Sequence, residues 1–214
     1  MDLRADADAD LAAVVAHLRA GGVIAYPTET VYGLGGACTP EAVSAVRTLK
    51  GRDETKPLIA LVESGDAVGA LSWTPAAREL ASIFWPGSVT LVLPDPAKTF
   101  PPGVRNPVTG TVGVRVSPHP VAERLVRALG APLTSTSLNV PGEPPVTSGD
   151  EASEILARLG AEAVWLLDAG TLPPSAPSTV VDCSTDPPVV LREGAVPTDR
   201  LRCAIPEIND RHAD

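Results

Sequence analysis

Cysteine, aromatic residues and lysine are all scarce in this chain, and each shortage removes a class of explanation. Three cysteines, Cys38, Cys183 and Cys203, stand far apart and form no CxxC pair. That argues against a disulfide framework or a zinc site and makes a reducing cytosol the default compartment. The three histidines, His17, His119 and His212, are equally scattered and read as surface or structural residues. With two Phe, three Trp and two Tyr, the core must be filled by Val, Leu, Ile and Ala. No apolar run reaches the ~18 residues of a membrane span, and the acidic opening MDLRADADAD lacks the apolar centre of a signal peptide. The expectation is a cytoplasmic protein with no membrane partner. A formal net charge of −9 has the wrong sign for non-specific nucleic-acid binding, which needs clustered cations. A basic pocket inside an acidic shell would instead select small anions.

The chain has 214 residues, a length that suits one domain, with a core from about residue 8 to 196 and a loosely docked tail from 197 to 214. Leu11, Val14, Val15 and Leu18 fall at helical spacing, with Asp8 or Asp10 as cap and Gly21-Gly22 as stop. Val23 to Tyr26 reads as a buried strand. Pro40 opens a second helix that Gly51 ends. Strands are expected at Leu58–Val62, Ser88–Leu93, Thr111–Val116, Leu133–Ser137, Val164–Leu167, Thr179–Cys183 and Val189–Arg192. Helices are expected at Ser64–Leu71, Pro75–Phe84, Pro118–Leu129 and Asp150–Leu159. Irregular alternation, with some strands adjacent, implies an α/β (mixed α+β) fold: a twisted mixed sheet flanked by helices.

The chain contains no GxxxxGK[ST] loop, GxSxG elbow or HExxH pair. Four stretches remain as site candidates. In PTET plus GLGG, Thr28 and Thr30 offer hydroxyls at a strand end, while Gly33, Gly35 and Gly36 would let backbone N–H groups approach a ligand; a glycine-rich turn with capping threonines explains them equally well. The chain has three lysines against fourteen arginines, and Lys50 and Lys56 flank Arg52. The three cations could hold a triphosphate, or could be the solvated end of a helix. In TVGVR, strand alternation puts Thr111, Gly113 and Arg115 on one face. A buried arginine needs a partner, either a structural carboxylate or that of a substrate. In STSLN, clustered short polar side chains suit a ligand's polar edge or a local turn.

Taken in order, GGVIAYPTETVYGLGG, KGR…KPL, FWPGSVTLVL, TVGVRVSPHP, STSLN and PSTVVD…LREG resemble the YrdC/TsaC-like threonylcarbamoyl-AMP synthase family, in its single-domain type. The resemblance covers roughly Gly21 to Val196 and implies a YrdC-like fold with a central concave cavity. It also implies a nucleotidyltransferase reaction in which ATP, L-threonine and bicarbonate give threonylcarbamoyl-AMP and pyrophosphate, with Mg²⁺ accompanying the ATP and no organic cofactor. A partner transferase would then modify adenosine 37 of tRNA, and weak contact with tRNA itself is part of the expectation.

By resemblance, Lys50 and Arg52 are catalytic and hold ATP phosphates, with Lys56 close by. Thr111, Ser137, Asn139 and Arg192 complete the ATP site, and Thr30, Arg115 and Ser135 bind L-threonine. No side chain is assigned to a metal. Asp53 stands where many members have proline, Leu61 where some have histidine, and Leu138 where a small residue is usual. Pro141 and Pro145 replace frequent serines. An RNA-binding module built on the same fold is the alternative.

Overall fold

Local signals in the sequence set most of the element boundaries. The computed structural model describes residues 7–51 and 56–211. Side chains of residues 7–10 lie outside that description, and with them the expected Asp8 or Asp10 cap. Helix α1 (Ala7–Arg19) stops just before Gly21, whose φ of 86° only glycine adopts readily. Strands β1 (Val23–Pro27) and β2 (Tyr32–Gly36) follow. Helix α2 (Pro40–Lys50) is capped by the Thr39 hydroxyl, which accepts from the Ala42 N–H, and is closed by Gly51 in the left-handed conformation. The chain continues through β3 (Ile59–Leu61), a 3₁₀ turn (Asp66–Val68), α3 (Pro75–Phe84), β4 (Val89–Pro94) and β5 (Thr111–Arg115). Then come α4 (Pro120–Leu129), β6 (Leu133–Ser137), α5 (Gly149–Arg158), β7 (Trp165–Leu166), β8 (Thr179–Asp182), β9 (Val189–Arg192), α6 (Thr198–Ala204) and β10 (Asn209–Asp210). Helix α5 starts with a reciprocal capping box between Ser148 and Glu151.

The ten strands form one mixed sheet in the order β10-β9-β8-β4-β5-β3-β6-β2-β1-β7. Alternation along each strand feeds two apolar layers. One joins Ala25, Leu34, Ala60 and Val114 to Val46 of α2, Leu80 of α3, Ile155 of α5 and Leu201 of α6. The other joins Ile24, Tyr26, Leu61 and Leu133 to Leu18 of α1 and Leu125 of α4. The face of Leu61 and Leu133 continues to Ile59, Ser135 and Arg115, because Ile59 pairs with Ser135, Leu61 with Leu133, and Leu61 with Arg115. At this end the same face turns polar.

Three expectations need correction. The GLGG segment is not a turn: it is strand β2, paired to β1 on one side and β6 on the other. Its glycines are required by close backbone packing, since a Cβ on Gly35 would lie 1.7 Å from the Thr134 carbonyl oxygen and one on Gly36 2.9 Å from that of Gly22. The helix expected over Ser64–Leu71 is only the 3₁₀ turn. Residues 198–211 are docked, not loose: α6 buries Leu201, Ile205 and Ile208 are buried after it, and β10 pairs with β9.

Candidate active site

The loop between β1 and β2 is folded around one hydroxyl. Thr28 Oγ1 accepts from the N–H groups of Thr30 and Val31, donates to the Val31 carbonyl at 2.7 Å, and meets Thr30 Oγ1 at 3.0 Å. The turn thereby holds Thr28 and Thr30, both buried, against the polar end of the sheet. There a cavity of about 100 Å³ is lined by Thr28, Thr30, Arg115, Ser135, Ser137 and Arg192, with Gly33 and Ile59 among its remaining walls. Side chains separated by up to 164 positions in sequence share this one hollow.

Arg115, at the end of β5, is 3 % exposed. Its Nη1 lies 3.2 Å from Glu29 Oε1, while its Nε is buried with no hydrogen-bond partner. Arg192, at the end of β9, donates from Nη2 to the Ser178 carbonyl at 2.7 Å. Burial, and then the neighbouring Arg115 charge, push the Arg192 pKa down. The proximity of Arg115 to Arg192 and the unsatisfied Arg115 Nε between buried walls make the cavity suited to an anion. Beneath it, Tyr26 donates to the Thr134 carbonyl at 3.1 Å, and burial raises its pKa so that it stays neutral.

A second cluster adjoins the cavity through Ser137. Its Oγ donates to Asn139 Oδ1 at 2.9 Å. Lys50, buried at the end of α2, donates from Nζ to Asn139 Oδ1 and to the Asn139 carbonyl, both at 2.6 Å. The Asn139 amide is fixed in turn by donating to the carbonyls of Val140 and Glu143. The lysine charge is therefore set beside the cavity rather than in it, one side chain beyond Ser137.

Of the residues singled out by sequence, Thr30, Arg115, Ser135, Ser137 and Arg192 line the cavity, and Lys50 and Asn139 are joined to it. Lys56 is exposed where the chain leads into β3. Arg52 lies outside the described residues. Thr111 is not brought to the cavity: it opens β5, about 13 Å from Arg115 at ~3.3 Å per residue, and its hydroxyl pairs with Thr109 at 2.7 Å. Sequence reasoning overlooked Glu29 and Ser178. The signal for Glu29 was present, since an arginine in an apolar strand demands a carboxylate and the PTET motif offers one. Among the described residues no group of three His, Cys, Asp or Glu side chains could hold a metal ion.

Residues 16–194 match the model of the Sua5/YciO/YrdC family, described as Telomere recombination. The chain belongs to this family. Among Sua5/YciO/YrdC relatives, the threonylcarbamoyl-AMP synthase of Bacillus subtilis is 34 % identical over 206 residues, covering 94 % of this chain and 58 % of its own length. That of Thiobacillus denitrificans is 41 % identical over 177 residues, covering 79 % of this chain and 89 % of its own. The crystal structure of P. abyssi Sua5 complexed with L-threonine superposes with a TM-score of 0.87 at 32 % identity, covering 95 % of this chain and 59 % of that one. The chain thus spans little more than half of two of these Sua5/YciO/YrdC proteins and most of the third. No helix among its described residues is long and apolar enough to cross a membrane.

Proposed function

We propose that this chain is an L-threonylcarbamoyladenylate synthase, acting in the cytoplasm to convert ATP, L-threonine and bicarbonate into threonylcarbamoyl-AMP and pyrophosphate. The observation that carries the reading is the buried, unpartnered Nε of Arg115 in a small polar cavity, in a fold shared with a Sua5 that binds L-threonine. At about 100 Å³ the cavity is well below the ~300–1,000 Å³ of sites for drug-sized ligands, which suits a short amino acid. A nucleotide would extend from it toward Ser137, Asn139 and Lys50.

In this reading Arg115 takes the threonine carboxylate, with Thr30 and Ser135 offering hydroxyls beside it. The unprotonated amino group of threonine attacks the bicarbonate carbon, a C–O bond breaks and water leaves to give N-carboxythreonine, whose carboxylate oxygen attacks the α-phosphorus of ATP as pyrophosphate leaves. Both partners are anions, so cations set in place before reaction must offset their repulsion. Arg192 and Lys50 supply two such charges, and Arg52 a third by its place in the motif. Mg²⁺ would enter as the Mg–ATP substrate. No side chain stands out as a general base, so positioning and charge neutralisation carry most of the catalysis. The adenylate would pass to a tRNA-modifying transferase.

The test is pyrophosphate release from ATP by purified protein, with threonine and bicarbonate each omitted in turn. Release that needs both supports the reading. Protein that binds ATP yet releases no pyrophosphate with both present refutes it.

A further inference from the structure

Among the described residues Glu29 is the one carboxylate paired with Arg115, and it is held there by two motifs that the proposed reaction leaves without a task. Its Oε1 accepts from Ser88 Oγ at 3.3 Å, just before β4, and faces Arg115 Nη1 at 3.2 Å. Its Oε2 accepts a short hydrogen bond from Ser117 Oγ, two residues beyond Arg115. The Ser117 hydroxyl in turn accepts the His119 N–H at 3.2 Å. His119 caps α4 by accepting the Val121 N–H on Nδ1. Burial holds the His119 pKa low, against the pull of Glu29, so the ring is kept neutral beside that carboxylate. The FWPGS and VSPHP stretches thus converge on the acidic residue of PTET.

We propose that Glu29 is a positioning residue that fixes the Arg115 guanidinium with its Nε edge turned to the substrate carboxylate. This rests on the reading of the cavity as the threonine site. A guanidinium offers five N–H donors in a rigid plane. Drawing Nη1 from behind, by the ion pair with Glu29 at 3.2 Å, biases the rotation of that plane and leaves the Nε edge for a ligand. Glu29 does not line the cavity, so it acts through Arg115 rather than on substrate. Ser88 and Ser117 hold the carboxylate against rotation, which keeps the fork aligned before threonine arrives.

The experiment measures steady-state pyrophosphate release and L-threonine binding by calorimetry for wild type, E29A, E29Q and S117A. Glutamine keeps the side-chain shape but removes the charge that faces Nη1, and S117A keeps the charge while loosening it. The expected result is a threonine KM and Kd raised about tenfold or more in E29A, which is ~1.4 kcal/mol per tenfold. Smaller rises are expected in E29Q and S117A, with the KM for ATP within about twofold of wild type in all three. Should E29A fail to fold, E29Q and S117A carry the comparison. Unchanged threonine affinity in the folded variants, or threonine and ATP constants that move together, overturns the proposal. Wild-type protein that does not bind threonine would instead overturn the assignment of the cavity.

Discussion

Replacing Gly35 by alanine should be among the most damaging single-methyl changes available in this chain, although Gly35 sits in ordinary strand conformation. The added Cβ would stand 1.7 Å from the backbone oxygen of Thr134, where carbon and oxygen settle near ~3.5 Å. Backbone cannot swing aside as a side chain can, so β2 and β6 must part by nearly 2 Å. Overpacking of this kind costs about 1–3 kcal/mol. The separation also threatens two hydrogen bonds that tie Gly36 to the Thr134 hydroxyl, at 2.9 and 3.0 Å, each contributing about 1 kcal/mol. Together they suggest a loss of ~3–5 kcal/mol. For a chain of this size that lowers Tm by roughly 6–20 °C, at ~2–4 °C per kcal/mol. Gly130→Ala is the control: its Cβ meets nothing within 4 Å and its φ is +67°, so only left-handed strain of ~1–2 kcal/mol applies. Thermal and urea unfolding of both variants decide the matter. If G35A unfolds within about 1 kcal/mol of G130A, the close β2–β6 approach is wrong and the argument for the glycine strand falls with it.

Arg115→Lys keeps the charge and loses the planar fork; threonine KM should rise about 10- to 100-fold in the pyrophosphate assay. Lys50→Met should instead raise the KM for ATP, about tenfold or more, while calorimetric threonine binding stays near wild type. Burial opposes ionisation of Asp95, but the N–H groups of Thr99 and Phe100, the Thr99 hydroxyl and Arg105 hold its carboxyl below the ordinary range. That contribution is full above the unfolded value of about 3.9 and is lost as pH falls through the lower folded value. D95A should therefore show a Tm deficit at pH 7, with ~1–3 kcal/mol lost through unsatisfied donors, and the ionic part of that deficit should shrink in scans below pH 4. Deletion after Val196 removes buried Leu201, Ile205 and Ile208. At ~1.5–3 kcal/mol each this should lower Tm by about 10–35 °C or abolish soluble expression.

Helices were readable because their ends carry chemistry. The Pro40 start and Gly51 stop of α2 and the Pro75 start of α3 are each visible as residue types with a mechanical role; α4, expected from Pro118, starts at Pro120 because His119 is its cap. Strand β2 was not, since YGLGG has the composition of a turn, and its strand character comes from Thr134 and Gly22 pressing on its backbone from elsewhere in the chain. The order of docking after Pro197 depends on tertiary contacts of Leu201 and Ile208 that no local pattern announces. In the site, Arg115 declared its need for a partner by being charged in an apolar strand. Which carboxylate met it was a question of loop geometry, settled by the Thr28 turn. Thr111 shares a strand face with Arg115 yet stands away from the cavity, because alternation fixes direction and not distance along the strand.

The parallel pairing of β4 with β8 joins Val89 to Thr179, and two walls of the cavity, Ser178 and Arg192, arrive with that second partner. A chain emerging from the ribosome therefore carries β4 as a bare border for the time taken to synthesise some 90 further residues, open to mispairing with other strands. Only when the late segment zips onto it does the hollow close on its second guanidinium. Completion of the cavity and burial of the hazard are thus one event.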